Sequence, residues 1–452
     1  MTVARNHATP LLSDPSFLGM TATQFLGAFN DNLFKQLMLL LAIPVGAAAS
    51  FEQDRQGVAT IVFALPFILF SGYAGYLSDR YSKRRIIVLS KVAEIVVMLL
   101  GLFAFASFAT FGYRGLLVVL FLMGTQSAFF GPGKYGILPE MLPKEQLPRA
   151  NGIILMTTFL AIIFGTAAAG LLGNSFIDET AAPELRAVDL WKGSLICVVI
   201  ATAGTLTSLV IRRLAPAKPK LALELDSLIV PADTRRLLAL DRPLLLALFA
   251  SCVFWLVSGI AIQAVNSLGM VQLGLDKFGT SVLTASIGLG ISIGAVIAGR
   301  LSHGRVEFRI VRVGLWGLVL FLLVLSLSRS GGTHLLGFQG SLVVLPLLGV
   351  AAGFFAIPVQ VFIQSRPPKD QKGRMIAVMN FVNFIAILLS GVLYSLFDRI
   401  VEGQGWPRSA IFAMMAAIVL PLAILYRPKN QNTLHDDTSP NGDEDARSNP
   451  GH

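Results

Sequence analysis

The polar residues best suited to chemistry lie near the start of the chain, at Asn30, Asp31, Asn32 and Lys35. They stand within an apolar run, and a helix that begins near residue 17 places Asp31 about 20 Å from its start, at roughly 1.5 Å per residue. A carboxylate inside a membrane costs about 2.5–3.5 kcal/mol on insertion scales, so it faces a cavity or a partner rather than lipid. Lys35 follows one turn later, in the order that favours an ion pair.

This stretch has two interpretations, and both stay open. In the first, Asp31 and Lys35 neutralise each other and stabilise their helix. In the second, Asp31 and its Asn neighbours line a polar path, because three consecutive polar side chains cover too much of the helix circumference for one ion pair to explain. Lys91 and Glu94, one turn apart in a later apolar run, are predicted to form a structural ion pair.

A second charged stretch carries Lys134 and Glu140 at the end of another apolar run. Gly131, Pro132 and Gly133 directly precede Lys134. We expect them to interrupt the helix, because Pro lacks a backbone donor and Gly loosens the turn. Interrupted helices often line cavities in membrane proteins, which makes Lys134 a candidate binding residue. The alternative is that Lys134 extends toward the membrane surface.

The stretch around Lys134 belongs to an internal repeat. Residues 129–149 share with residues 354–374 a Phe pair, a Pro-Lys-acid-Gln turn and a final Arg, all displaced by 225 positions. One register kept over this length predicts two related halves. The second copy has Val and Ser at the positions of Lys134 and Glu140, so these charges are better candidates for function than for architecture.

The composition excludes an ordinary soluble protein. Hydrophobic residues make up 54% and charged residues 14% of the 452 residues, whereas soluble domains contain about one quarter charged residues. Apolar runs of about 20 residues recur, each long enough to cross a hydrocarbon core of about 30 Å. The polar start of the chain predicts no cleavable signal peptide. The two cysteines lie in apolar runs and indicate neither a disulfide nor a metal site, and no cofactor is expected.

The apolar runs predict twelve helices with a long polar stretch after the sixth. The first six are expected at 17–45, 57–78, 85–108, 114–139, 149–173 and 190–211. The second six are expected at 243–272, 279–302, 309–329, 338–365, 373–397 and 406–427.

This pattern divides the chain into five parts. They are an N-terminus at 1–16, a six-helix half at 17–211, an inter-half loop at 212–242, a second half at 243–427, and a polar tail at 428–452 that is expected to be disordered. Lys and Arg are about three times as frequent in one set of loops as in the other. That bias predicts a multi-pass membrane protein with both termini and the inter-half loop in the cytoplasm. Because the positive charges lie in one set of loops, the net charge of +10 does not indicate binding to nucleic acid.

Residues 75–85, Gly-Tyr-Leu-Ser-Asp-Arg-Tyr-Ser-Lys-Arg-Arg, resemble the signature loop of the major facilitator superfamily, apart from Ser82, where that family usually has Gly. Six helices, a long loop and six more helices is also the arrangement of that superfamily. The predicted fold is therefore an all-α integral membrane protein with twelve transmembrane helices in two pseudo-symmetric six-helix halves. In that fold the substrate binds between the halves near the midplane.

The charged turn in this loop is predicted to act as a conformational latch. Asp79 can accept hydrogen bonds from the N-terminus of a neighbouring helix, while Arg80, Arg84 and Arg85 can pair with acids or lipid phosphates. Glu140 is expected at the same side of the membrane, paired with Arg80 or Arg85. The alternative is a basic turn that orients the protein and has no conformational role.

The second half is expected to contribute a polar but uncharged wall. Between Arg242 and Asp276 the chain has no charged residue, and Gln263 and Asn266 are the polar residues in the cavity-facing range. With Phe and Leu abundant, a cavity charged on one wall only suits an amphiphile with a zwitterionic or anionic head group better than a sugar.

Three motifs resemble the bacterial lysophospholipid transporter family: Gln-Phe-Leu-Gly-Ala-Phe-Asn-Asp-Asn at 24–32, Phe-Gly-Pro-Gly-Lys-Tyr-Gly-Ile-Leu-Pro-Glu at 130–140 and Ala-Asn-Gly at 150–152. The resemblance implies a flippase that moves lysophospholipid inward across the inner membrane for re-acylation, with head-group contacts at Asp31 and Lys134. The chain lacks the Arg that this family carries in its seventh helix. No acyltransferase domain follows the twelfth helix, so any acyltransferase partner is expected to be a separate protein.

The expected function is inward transport of lysophospholipid by alternating access, carried out by a monomer in the bilayer. The alternative is a proton-coupled exporter of drugs or other amphipathic small molecules, in which Asp31 or Glu94 titrates. An enzyme is not expected, because the sequence offers no Ser/His/Asp set and its five His residues are scattered. The candidate substrate-binding residues are Asn30, Asp31, Asn32, Lys35, Lys134, Gln263 and Asn266.

Overall fold

The computed structural model describes residues 11–44, 53–143, 146–178, 185, 187–216, 219, 232–301, 308–329, 331–368 and 372–426. Within these ranges the chain is helical, and its only β-structure is an isolated bridge between Ser328 and His334. The predicted tail, most of the predicted N-terminus and part of the predicted inter-half loop lie outside the described residues.

Long helices follow one another along the described chain. In the first half they are α1 (Pro15–Leu41), α2 (Gln56–Arg80), α3 (Lys83–Ala106), α4 (Phe108–Gly136), the short α5 (Leu138–Met141), α6 (Leu147–Phe176) and α7 (Leu190–Leu209). After α8 (Ala232–Leu240) come α9 (Arg242–Ser267), α10 (Lys277–Leu301), α11 (Phe308–Ser326), α12 (Gly337–Ser365), α13 (Lys372–Gly403) and α14 (Ala410–Leu425).

The twelve predicted helices are confirmed. Ten of the described helices are long and apolar enough, by length and composition, to cross a membrane. The other two are α1, which has 27 residues and carries the charged stretch at Asp31, and α14, an apolar helix of 16 residues. The prediction missed α8, a short helix of 9 residues inside the inter-half loop.

The predicted interruption at Gly131, Pro132 and Gly133 is wrong. Helix α4 continues through Pro132 to Gly136, and its one residue with non-helical backbone angles is Gly112, with φ 54° and ψ −158°. Pro132 removes one backbone hydrogen bond, but it does not end the helix. The positive φ at Gly112 is tolerated because glycine has no Cβ.

The two halves meet along two seams, where α2 packs on α13 and α6 packs on α10. At the first seam a Cβ added to Gly391 would lie 2.5 Å from the carbonyl oxygen of Gly57. At the second, a Cβ added to Gly170 would lie 2.7 Å from the carbonyl oxygen of Lys277. We call the end of the bundle that carries the turn between α2 and α3 the basic side. Both close approaches lie toward the opposite side, where the halves are closed against each other.

Candidate functional site

The polar triplet of α1 points in three directions, because successive residues of a helix are about 100° apart. The side chain of Asn30 is fully buried and donates to Glu94 of α3 over 2.9 Å. Asp31 is partly buried and faces α4. Asn32 donates to the carbonyl oxygen of Ala28 in its own helix. The triplet therefore joins α1 to several neighbours instead of forming one polar face.

The carboxylate of Asp31 is held by neutral donors. Ser127 Oγ donates to Asp31 Oδ2 over 2.6 Å, and Gln126 Nε2 donates to Asp31 Oδ1 over 3.3 Å. The sequence prediction did not include these two α4 residues. A signal for Ser127 was present, because it lies seven positions before Lys134 and so shares its helix face.

Lys35 lies over an aromatic ring and not beside Asp31. Its Nζ atom is 5.3 Å from the centroid of the Phe63 ring on α2. Among the described residues, no hydrogen bond or close ion pair joins Lys35 to Asp31. The carboxylate of Asp31 thus keeps acceptor capacity for a further donor.

Lys91 and Glu94 form the predicted ion pair, with each side chain only 1% exposed. The pair lies level with Asn30, because Glu94 accepts a hydrogen bond from that residue. Glu94 uses one carboxylate oxygen for Lys91 and the other for Asn30. Its charge is therefore fully engaged inside the first half.

Lys134 belongs to a second polar layer. Its Nζ atom donates to Thr158 Oγ1 of α6 over 3.2 Å, and Thr158 donates to Gln24 Oε1 of α1 over 2.8 Å. Gln24 lies seven residues before Asp31, a separation of about 10 Å along the helix at 1.5 Å per residue. Lys134 and Asp31 therefore do not face each other directly. Both take part in polar contacts among α1, α4 and α6, a surface of the first half that we call the inner wall, with Lys134 nearer to the basic side.

Gln263 and Asn266 lie in the contact between the halves. Both side chains are fully buried, so neither is open to a cavity in this conformation. The side-chain amide of Gln263 donates to the carbonyl oxygen of Gly259 over 2.9 Å, and the backbone carbonyl oxygen of Gln263 accepts from Gln56 Nε2 over 3.3 Å. The prediction of a cavity-facing pair therefore does not hold for the closed state of this seam.

Five residues from both halves form what we call the closing cluster: Gln36, Asp54, Gln56, Asn266 and Tyr394. Asn266 accepts from Gln36 over 2.8 Å and donates to Gln56 over 3.0 Å. Tyr394 Oη donates to Asp54 Oδ2 over 2.7 Å, and the Gln56 backbone donates to Asp54 Oδ1 over 2.8 Å. Apart from Asn266, sequence reasoning missed this cluster, because no local spacing connects residues more than 200 positions apart.

Glu140 pairs with Lys83, not with Arg80 or Arg85, so the predicted partners are wrong. Lys83 is the first residue of α3. Its side chain packs on Gly136 of α4, where an added Cβ would lie only 2.6 Å from Lys83 Cε. This packing brings the ammonium of Lys83 to the end of α4, where Glu140 follows.

The remaining latch candidates also bind within the first half. Lys83 Nζ lies 4.0 Å from Asp79 Oδ1. In the part of the chain that the structure describes, Asp79 accepts no hydrogen bond from a helix N-terminus. Arg80 donates to the hydroxyl of Tyr76. Arg84 donates to the carbonyl oxygens of Ile211 and Leu209 over 2.5 and 3.0 Å, at the end of α7. Arg85 is exposed.

A twelve-helix bundle of two halves, closed on one side and with a carboxylate on its inner wall, defines a membrane transporter. The chain belongs to the Major Facilitator Superfamily, whose family model matches residues 17–391.

Curated relatives are lysophospholipid transporters named LplT. The protein of Citrobacter koseri is 29% identical over 86% of this chain and 90% of its own length. The protein of Enterobacter sp. strain 638 is 28% identical over 90% and 96%. The protein of Serratia proteamaculans is 28% identical over 86% and 89%.

Solved structures of transporters share the fold. A POT family transporter in complex with 5-aminolevulinic acid superposes with a TM-score of 0.67 at 13% identity, covering 91% of this chain and 95% of that one. The nucleoside transporter NupG superposes with a TM-score of 0.64 at 13% identity, covering 92% and 99%. At this identity the likeness concerns the fold alone.

Proposed function

We propose that this protein moves lysophospholipid inward across the bacterial inner membrane by alternating access and catalyses no covalent step. The observation that carries the proposal is the match to LplT relatives along 86% of the chain. The carboxylate of Asp31 keeps acceptor capacity, and the polar layer of Lys134 lies about 10 Å further along α1, which suits a head group with both charges.

The proposed substrate contacts divide between the two polar layers. Asp31, held by Ser127, accepts from the amine or hydroxyl groups of the head group. Lys134 attracts the phosphate, since an ammonium is a common phosphate ligand. Asn32 and Lys35 flank this path. Asn266 joins it only when the closing cluster opens.

The basic side is proposed to face the cytoplasm, together with both termini, because Lys and Arg concentrate in cytoplasmic loops. The closed seams then lie on the periplasmic side, and the conformation is the one that releases substrate inward. Closure of the basic side would break the Lys83–Glu140 pair or recruit Asp79 to the second half, which is the proposed latch. The released product is proposed to be re-acylated by a separate acyltransferase, and the transporter to act as a monomer.

Photocrosslinking tests this function. Membranes containing the protein are irradiated with a photoactivatable lysophospholipid, and the modified peptides are mapped. We expect labelling of α4 between Gln126 and Lys134 that excess lysophospholipid suppresses and diacyl phospholipid does not. Labelling confined to the lipid-facing surface, with equal competition by both lipids, would contradict the proposal.

A proton-coupled exporter of amphipathic compounds remains the second candidate, because Asp31 lies on the inner wall without a close basic partner. Export of unrelated amphipathic cations that stops when the pH gradient is collapsed would favour it. Lysophospholipid uptake that persists without the gradient would exclude proton coupling.

A further inference from the structure

Three fully buried polar residues tie together three helices of the first half, and we call them the buried clamp: Asn30, Lys91 and Glu94. Glu94 binds Lys91 with one carboxylate oxygen and accepts from Asn30 Nδ2 over 2.9 Å with the other. The same Nδ2 atom donates to the carbonyl oxygen of Cys197 on α7 over 3.3 Å. Helices α1, α3 and α7 are thus joined at one level.

The surrounding backbone is shaped for the clamp. A Cβ on Gly27 of α1 would lie 2.9 Å from Lys91 Nζ, and a Cβ on Gly204 of α7 would lie 2.9 Å from Lys91 Cε. The ammonium also lies 5.8 Å from the ring centroid of Phe130 on α4. Glycines on two helices therefore leave room for this lysine, and the pair forms part of the helix packing.

Stability alone does not explain such a pair. Burying two charges carries a desolvation cost that their attraction often fails to recover, and apolar residues of similar volume are often as stabilising. Buried polar groups contribute to a unique arrangement in some proteins. Here the arrangement that they fix is the rotation of α1 about its axis.

That rotation decides where Asp31 points. Asn30 and Asp31 are consecutive and lie about 100° apart around the helix. While Asn30 stays on Glu94, Asp31 faces Ser127 on α4. We infer that Glu94, held by Lys91, is a positioning residue that orients Asp31 toward the inner wall. The importance of this orientation for transport rests on the proposed function, whereas the orientation itself does not.

Cysteine accessibility tests the inference without any substrate. In a background carrying Cys197→Ser and Cys252→Ser, Asp31→Cys is labelled with a charged thiol reagent added from the basic side. The paired change Lys91→Leu with Glu94→Leu removes the clamp and leaves no charge unpaired. We expect the labelling rate of the cysteine introduced at position 31 to fall about tenfold in this paired variant, which corresponds to about 1.4 kcal/mol.

A matched control and a second variant keep the test decisive. Thr23→Val removes a neutral hydrogen bond of 2.9 Å between α1 and Thr207 of α7, and is expected to leave the labelling rate unchanged. If the paired variant does not fold, Asn30→Leu removes the link to α1 and keeps the ion pair, with the same expected fall. An unchanged labelling rate in a folded clamp variant would overturn the inference.

Transport measurements separate this inference from the proposed function. Transport is measured in clamp variants that retain Asp31, and loss of transport there, together with reduced labelling in the Asp31→Cys versions, supports both. Reduced labelling in a protein whose wild type moves no lysophospholipid leaves the inference standing and removes the proposed function. Normal labelling in a clamp variant of an active transporter overturns the inference alone.

Discussion

Ser127 is the residue whose hydroxyl lies closest to the proposed head-group contact. Its hydrogen bond of 2.6 Å orients one oxygen of Asp31, and hydrogen bonds to charged groups contribute about 1.5–3 kcal/mol. We expect Ser127→Ala to lower kcat/KM for lysophospholipid uptake roughly ten- to hundredfold, since about 1.4 kcal/mol is a factor of ten. Uptake kinetics in spheroplasts measure the change.

Thr125 supplies the matched control for this change. It lies on the same helix, but its hydroxyl donates to the carbonyl oxygen of Phe121 over 2.8 Å. Thr125→Val should therefore leave uptake unchanged. Equal losses in the two variants would show that any hydroxyl of α4 matters, and that Ser127 has no special relation to Asp31.

Asp54 gives the closed seam a pH dependence. It precedes α2, and burial raises its pKa above the ordinary value. Hydrogen bonds from Gln56 and Tyr394 and the positive charge of Arg408 oppose this rise only in part. Asp398 is another acidic group that interacts electrostatically with Asp54. In an open state Asp54 faces water with a pKa of about 3.9. The closed state therefore binds the proton more tightly, and its population should rise as the outside pH falls through the raised pKa.

Spin labels on the ends of α1 and α9 opposite the basic side measure this closure as a distance. Asp54→Asn should abolish the dependence of that distance on pH, because the amide does not titrate. The same pH response in wild type and variant would assign the effect to another group.

At the scale of the helix, the seam between α2 and α13 depends on backbone contact. A side chain at Gly57 would overlap the carbonyl oxygen of Gly391, so Gly57→Leu should hold the seam open. We expect Asn266→Cys to become reactive to a membrane-impermeant thiol reagent applied opposite the basic side. Gly75→Leu is the control, because nothing lies within 4 Å of a Cβ at that position of the same helix.

Two outcomes distinguish the roles of this glycine. Reactivity that rises with Gly57→Leu and not with Gly75→Leu identifies the seam as the gate. Asn266→Cys that stays unreactive in both backgrounds would mean that the halves separate elsewhere.

Helices were more predictable than helix interruptions. Apolar length fixes a membrane span strongly, because every backbone polar group must be satisfied within the segment. The predicted start of the fourth helix at 114 coincides with the end of the distortion at Gly112. Whether a proline ends a helix depends on how the surrounding helices hold the chain on both sides of it, and the sequence around Pro132 does not specify that packing.

At the scale of the whole molecule, the site could be located in part. Asp31 could be predicted because a charge inside a membrane is costly unless it faces a cavity or a partner. Its contact with Ser127 could not, because that contact depends on how α1 and α4 pack. Glu140 pairs with Lys83 for the same kind of reason. Asn266 was found as a polar residue, yet its exposure depends on which side of the transporter is closed.

The asymmetry between the halves has a physical meaning in this arrangement. The first half carries the charged inner wall, while the second half supplies uncharged polar groups such as Asn266 that can form and break hydrogen bonds without exposing a charge. Such groups suit a contact that must open in each cycle, because each neutral hydrogen bond contributes only about 0.5–1.5 kcal/mol.

The most direct test of the central claim is the movement of a labelled lysophospholipid between leaflets. Proteoliposomes receive the lipid in their outer leaflet, and albumin extracts what has not crossed. The wild type should protect the lipid from extraction with time, and Asp31→Asn should not, although it inserts and folds normally. Protection that is equal in the two proteins, or absent in both, would contradict the account.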